Sequence, residues 1–274
     1  LMFDLNIIFI LILFGCLSGF FAGLLGAGGG MIIVPALFFA FKLSGYSSDL
    51  LMHLAVGTSL AIIFPTSIIS SYTHYKNGNL DKNFFKFCGF FIFIGIVLGT
   101  FFTSFINTIN LLSLFAIYTF VSGVFLLFKK DKLNKFKREI SNPYKIIYGL
   151  ITGFLSVPLG IGGASIMVPI MKFYNYSIKI AIGTSAHFGI IISFTGFLSM
   201  LASGHYIAKV DEPYTIGYIN ILSFIIFVPA TLLTARIGAI TTSKVKKELL
   251  NKIFGIVLII ISIRAFYEIY NFSN

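Results

Sequence analysis

The sequence predicts an all-α polytopic membrane protein of two homologous, inverted repeats, each a glycine-broken re-entrant helix pair plus three spanning helices. Three observations lead there. The first is composition: of 274 residues, 57% are hydrophobic and only 11% charged, with a mean hydropathy of +0.97. A soluble domain is near a quarter charged. The second is a glycine-dense string that occurs twice. Gly26, Gly28, Gly29, Val34 and Pro35 meet Gly160, Gly162, Gly163, Val168 and Pro169 at one constant offset, and internal repeats of this kind decide a fold before anything else does. The third is the placement of the basic residues, taken up below.

In chain order, residues 5–25 are apolar, the first glycines follow, and 31–41 are apolar again. Residues 5–14 resemble a signal-peptide core, but no basic stretch precedes them and the glycine string follows directly, so they read as mature structure. A polar connector over 42–49 leads to a helix over 53–75, which carries Gly57-Thr58-Ser59 near its start and Pro65, a kink signal, in its middle. A short basic loop with a turn signal at Asn77-Gly78 follows. Residues 84–105 and 109–128 are plain apolar helices, long enough to cross ~30 Å of hydrocarbon. Short alternating segments of the β-barrel kind are absent. Residues 129–145 form a charged linker between an N-terminal repeat (1–128) and a C-terminal repeat (146–274).

The second half repeats the order. Residues 146–159 lead into the glycines and 165–171 lead out; 181–203 match the earlier helix, with Gly183-Thr184-Ser185 in place of Gly57-Thr58-Ser59. Helices over 218–237 and 249–270 complete the set. The arms around Gly160–Gly163 are short: fourteen residues before and eight after, about 21 and 12 Å of helix at 1.5 Å each. Neither spans a bilayer, and together they predict a hairpin that enters and leaves by one face. Irregular backbone at that depth is tolerated only where it is buried in protein or lines a cavity.

With each hairpin returning to its own side, all but three of the 20 basic residues share one face, leaving Lys42, Lys209 and Arg264 opposite. A continuous crossing at each glycine string divides them far more evenly. The positive-inside rule therefore predicts the inverted arrangement, with the linker cytoplasmic and both termini periplasmic; hairpin arms that each cross fully divide the charges in the same way, so charge fixes parity and not depth. It also accounts for the net charge of +11 without nucleic acid, for which no aromatic-basic motif exists. Cys16 and Cys88 lie in apolar segments and lack metal spacing.

The paired Gly-x-Gly-Gly…Val-Pro strings, each followed by Gly-Thr-Ser on the next helix, resemble the TauE/SafE sulfite exporter family, also called the toluene-sulfonate uptake permease family. The resemblance covers essentially the whole chain. It implies a transporter of small sulfur-containing anions, such as sulfite or organosulfonates, in a bacterial inner membrane. The family's conserved motifs fall on Gly26, Gly28, Gly29, Gly160, Gly162 and Gly163, and on the two Gly-Thr-Ser strings. Symmetry is imperfect, since Gly30-Met31 is replaced by Ala164-Ser165.

Broken helices in inverted repeats place anions at the bilayer midplane, against half-helix N-termini whose first amides have no intrahelical partner. Glycine lets that backbone come close to an oxyanion. The candidate substrate-binding residues are accordingly Gly28, Gly29, Gly30, Gly162, Gly163 and Ser165 at the breaks, with Thr58, Ser59, Thr184 and Ser185 completing the anion's hydrogen bonds. His187 shares a face with Thr184 and is the candidate for coupling a proton. Each has a plainer reading: tight packing for the glycines, interhelical hydrogen bonds for the hydroxyls, a neutral packing residue for His187. His53, His74 and His205 read as interfacial. All nine acidic residues lie at termini, in loops or near helix ends, as an anion pathway requires. There is no nucleotide-binding loop and no catalytic or metal constellation. The expectation is a secondary transporter, not an enzyme, with no cofactor, whose partners are the anion and the bilayer; homo-oligomerisation stays open. A channel-like conduit and a non-transporting membrane subunit are the alternatives.

Overall fold

The computed structural model describes residues 4–25, 29–128, 140–241 and 247–273. Ten helices and one two-stranded hairpin make up the described chain. The order is α1 (Leu5–Leu25), α2 (Gly30–Leu43), α3 (Leu51–Lys76), α4 (Lys82–Phe105), α5 (Thr108–Phe128), α6 (Asn142–Ser156), α7 (Ala164–Phe173), α8 (Ile178–Tyr206), β1 (Thr215–Ile216), β2 (Ile219–Asn220), α9 (Ile221–Thr241) and α10 (Lys247–Ser273). Seven are long and apolar enough to cross a membrane; α2, α6 and α7 are not. Their exposed Phe, Leu and Ile side chains suit a lipid surround, which removes the cost such a surface carries in water.

α3 is the centre of the bundle. Of its apolar window 78% is buried, against 28–44% for the other six candidate spans. It packs on α8, α2 and α9. α3 and α8 run antiparallel, with Leu60 against Gly196 and Ser67 Oγ 3.3 Å from Ser193 Oγ. α5 and α10 are also antiparallel: Gly123 faces Gly255 and Ile259, and Ser262 Oγ donates to Ala116 O at 2.8 Å.

The remaining contacts come in matching pairs. α1 lies parallel to α9, with Gly15 against Phe227 and Ala230, and Gly19 against Thr231 and Thr234. α6 lies parallel to α4 in the same way, with Gly149 against Cys88 and Phe91, and Gly153 against Ile92 and Ile96. At each of these glycines a Cβ would come within 3 Å of the facing helix, so the absence of a side chain is what lets the backbones meet.

The second glycine hairpin is as the sequence predicts. Tyr148 Oη, in the first half of α6, lies 3.2 Å from Tyr174 Oη just beyond the end of α7, so the start of α6 and the end of α7 lie toward one end of the bundle. Gly163 turns the chain back onto Thr152 and Ser156. In the first hairpin Gly29 likewise packs back on Ser18 and Ala22, but α1 at 21 residues is longer than α6 at 15. Its ~31 Å suffices to cross, which the shorter counterpart does not suggest. This hairpin opens at the opposite end, where Lys42 in the last turn of α2 meets Glu268 of α10.

Among the described residues, the end where α4 and α8 begin carries Lys76, Lys82, Lys86, Lys145, Lys172, Lys179, Arg236 and Lys252, with the acidic Asp81. The other end carries Lys42, Lys209 and Arg264 with Asp49, Asp211, Glu212 and Glu268. These are called the basic and the acidic end below. Glu268 lies near the end of α10, as expected, but is buried there: it is only 2% exposed and is ion-paired with Lys42 and, at 2.8 Å, with Arg264. His53 also departs from the interfacial reading. It is buried, with Nε2 3.0 Å from Thr103 O and its ring stacked on Tyr218.

Candidate functional site

The two breaks meet in the middle of the molecule. Gly29 and Gly163 are the N-caps of α2 and α7, both in the left-handed region at φ 70° and 73°, and neither helix has a side-chain cap. The first amides of both helices are thus left for something else. Gly30, the first residue of α2, lies directly against the second break: a Cβ there would sit 2.4 Å from Gly160 O and 2.9 Å from Ile161 Cα. Gly160 is also left-handed, at φ 61°, and its carbonyl accepts a 2.8 Å hydrogen bond from Ser59 Oγ. One member of the first Gly-Thr-Ser string therefore holds the break of the other half.

Below this contact, toward the basic end, a cavity of about 440 Å³ opens between the end of α1, the second half of α3, the first half of α8 and the second half of α9. Its inner wall includes Ile63, Thr66, Ser67, Gly162, Ser185 and Gly189. Toward the mouth come Ser70, Thr73, His74, Asn77 and Arg236. None of the described lining residues is acidic. A water occupies about 30 Å³, so the space admits a small anion together with much of its hydration shell.

Several wall hydroxyls are already engaged. Thr66 Oγ1 donates to Ile63 O at 2.7 Å, Ser67 Oγ to Phe64 O at 2.8 Å and Thr73 Oγ1 to Ile69 O at 2.9 Å. Each keeps lone pairs but has spent its proton. Ser185 differs: it is fully buried, its Oγ has no hydrogen-bond partner, and it lines the cavity beside Gly162. An unsatisfied hydroxyl in the interior costs about 1–3 kcal/mol. A ligand accepting its proton would recover that. His74 Nδ1 is the second buried, unpartnered polar atom on the same wall.

Residues 11–265 match the sulfite exporter TauE/SafE family. The chain belongs to that family. It is 31% identical over 263 residues to a probable membrane transporter protein of Haemophilus influenzae, covering 95% of this chain and 98% of the relative. The probable membrane transporter protein YunE of Bacillus subtilis is 28% identical, with 94% and 97% covered. A third such protein, from Methanocaldococcus jannaschii, is 29% identical, with 90% and 92% covered. No solved structure matches. The protein is a multi-pass membrane protein of a transporter family.

In this TauE/SafE chain the sequence-derived candidates fall into separate places. Gly162 and Ser185 line the cavity. Gly30 and Ser59 touch the second break, and Gly29 and Gly163 head the two half-helices. Gly28 lies outside the described residues. Thr58 and Thr184 sit at opposite ends of the bundle. Thr58 Oγ1 accepts from Asn220 N at 2.9 Å and Thr184 Oγ1 from Asp81 N at 3.0 Å. Asn220 and Asp81 in turn cap the next helices through Ser223 N and Phe84 N. The two threonines therefore anchor equivalent helix starts. Ser165 is the second residue of α7, its buried hydroxyl lying toward Tyr118 of α5 and outside the cavity lining. His187 Nδ1 lies 2.7 Å from Gly183 O, and its ring packs against Phe85 and Tyr75.

Sequence reasoning does not single out Arg236, His74, Thr66, Ser67 or Ser70 for the site. A signal for the α3 residues exists: Thr66, Ser70, Thr73 and Asn77 recur at helical spacing on a single face. Arg236 is the one basic residue within α9, and an intramembrane cation is a functional candidate by default.

Proposed function

We propose that this protein is a secondary transporter of small anions, sulfite or an organosulfonate foremost, whose cargo enters the cavity from the basic end and binds where Gly162 and Ser185 meet the uncapped start of α7. One observation carries the reading. A cavity with an arginine at its mouth, hydroxyls along its wall and no described carboxylate ends at a glycine break and an unsatisfied serine. The Arg236 guanidinium favours an oxyanion and repels cations, and the free Ser185 hydroxyl has a proton to donate to that oxyanion. The amides at the start of α7 add partial positive charge.

The membrane arrangement belongs to the same proposal. Residues 1–128 and 146–274 are read as inverted repeats, supported by the antiparallel pairs α3–α8 and α5–α10 and by hairpins that open at opposite ends. The basic end is read as cytoplasmic and the membrane as a bacterial inner membrane, supported by the lysine and arginine bias. A carrier is favoured over an open conduit because the lining residues come from the basic end and the middle, while Gly30 closes on Gly160. The family and the named relatives support transport as such. Sulfur-containing cargo rests on the family's description.

Uptake of labelled sulfite into proteoliposomes, with sulfonate and carboxylate competitors, tests the proposal. Saturable uptake that sulfonates compete away is the expected result. Folded protein that moves none of these anions refutes it.

A further inference from the structure

We propose that His74, not His187, is the residue that binds a proton together with the transported anion, so that the cargo crosses as an anion–proton pair. This rests on the anion-transport reading above and adds the coupling ion and its seat. His187 is the residue the sequence favours, because it follows the Gly-Thr-Ser string. In the structure its Nδ1 is engaged with the Gly183 carbonyl, its ring is covered by Phe85 and Tyr75, and it does not line the cavity. His74 does line it, on the wall that also presents Asn77 and Arg236, and its buried Nδ1 has no partner.

The charged and titratable groups around His74 make it the place where a proton would be held. From α8 comes His187, within electrostatic reach; from α9, Arg236. The start of α4 brings Asp81, whose carboxylate caps its own helix, and Lys82, whose Nζ lies over the Tyr75 ring. Tyr75 and Lys76 are on the same helix. The stretch of α1 at the cavity, Ala22 and Gly23, brings none. No described carboxylate faces the cavity to neutralise an imidazolium. A protonated His74 therefore needs an anion beside it, and an anion gains a second cation when His74 is protonated. The two bindings reinforce each other by reciprocal coupling. The proton comes from the solution at the basic end, resides on the imidazole while the anion is bound, and departs with it. A monovalent sulfonate and one proton together move no net charge.

Anion affinity is measured on the purified full-length protein between pH 5.5 and 8.5, with sulfite and ethanesulfonate as probes, for wild type, H74Q, H187Q and R236Q. Wild-type affinity is expected to fall about tenfold, within the usual range of coupling, as the imidazole loses its proton. H74Q should bind more weakly at pH 5.5 and show a profile flat to within about twofold once the probe's own titration, common to all variants, is divided out. R236Q should be weaker at every pH and keep the slope. In a weakly buffered sample, ethanesulfonate should draw about one proton from solution with wild type and none with H74Q. A sloping profile in H74Q that is lost in H187Q overturns the assignment. A flat wild-type profile alongside saturable transport overturns proton coupling but leaves the transport reading standing. Neither binding nor flux of either probe overturns both.

Discussion

Gly30→Ala is the sharpest perturbation available, because the structure gives both its sign and its size. Gly30 is the first residue of α2 and its φ is not left-handed, so alanine brings no backbone strain and, at a helix end, only a small part of the ~1 kcal/mol it gains in a helix interior. The added methyl would, however, meet Gly160 O at 2.4 Å and Ile161 Cα at 2.9 Å. Both are backbone atoms of the opposing break, with no rotamer by which to yield. Relief requires the breaks to part by about 1 Å, where ordinary contact begins near 3.5 Å. Overpacking of this kind costs about 1–3 kcal/mol, and the parting also pulls on the Ser59–Gly160 hydrogen bond. A net destabilisation of about 1–3 kcal/mol is expected, since the propensity gain at a helix end offsets little of it. Gly78→Ala is the control. Gly78 has a comparable left-handed φ of 68° to Gly163 but nothing within 4 Å of an added Cβ, so it carries backbone strain of about 1–2 kcal/mol and no contact between breaks. Denaturant unfolding in micelles gives the stability, and proteoliposome flux per folded molecule gives the function. G30A should lose both, and G78A only stability. Wild-type stability and flux in G30A would show that the contact between the breaks is not tight and would undo the account of the site built on it.

Four further outcomes follow from individual contacts. Thr58→Val and Thr184→Val each remove the acceptor for a helix-start amide and should cost about 1–2 kcal/mol in unfolding assays, with the loss in stability rather than in anion affinity. Glu268→Gln leaves Lys42 and Arg264 without a counter-charge; because those cations are 40% and 49% exposed, about 1–2 kcal/mol is expected rather than the full price of a broken buried pair. Ser185→Ala should raise the stability of the ligand-free protein by about 1–3 kcal/mol, since no protein partner is lost and an unsatisfied hydroxyl is removed, while weakening anion binding about fivefold to tenfold. Burial raises the Tyr46 hydroxyl above its ordinary 10.0. Stability should therefore be intact below pH 10 and fall as the pH rises from there through the folded-state value, where ionisation removes the proton that Tyr46 Oη donates to Pro213 O; an alkaline unfolding profile of Y46F that shows the same fall would refute this.

Much of the fold is legible because it rests on periodicities and lengths internal to each segment. The short arms at Gly160–Gly163 force a hairpin by arithmetic alone. A further repeat was open to the same reasoning: Gly15 and Gly19 match Gly149 and Gly153 at the very offset of the glycine strings. The functions of individual polar residues are less legible, since their partners come from distant sequence. Thr58 and Ser59 are adjacent and equally polar. Yet the first ends on Asn220, 162 positions away, and the second on Gly160, 101 positions away. Which of two neighbours faces a cavity depends on the rotational setting of a helix that is enclosed nearly all round, and α3, apolar or hydroxylated on every side, gives no moment to read it from. His74 and Arg236 are invisible as a pair for the same reason. They belong to helices 145 residues apart at their nearest ends.

The repeat and the cavity also make different demands, and the difference bears on mechanism. Aligning the halves on their Gly-Thr-Ser strings pairs Thr66 with Ile192, Ser70 with Gly196 and His74 with Met200. Aligning α4 with α9 on their capping residues, Asp81 and Asn220, pairs Arg236 with Val97. What the halves share is therefore the backbone: glycine breaks, tight helix crossings and threonine-anchored helix starts. What they do not share are the cavity-lining imidazole of His74 and guanidinium of Arg236, which have no counterpart at the matching positions of the other half. A perfectly two-fold carrier would present the same chemistry to both sides of the membrane. On the proposed reading, the backbone devices are common to both halves, whereas His74 and Arg236, the groups proposed to gather an anion and a proton, belong to one end. The matching positions hold Met200, fully buried, and Val97, 48% exposed, so a site formed by the other half would lack both groups and should hold anion and proton less tightly. That asymmetry needs no extra gate: it follows from divergence at two positions within an otherwise repeated backbone.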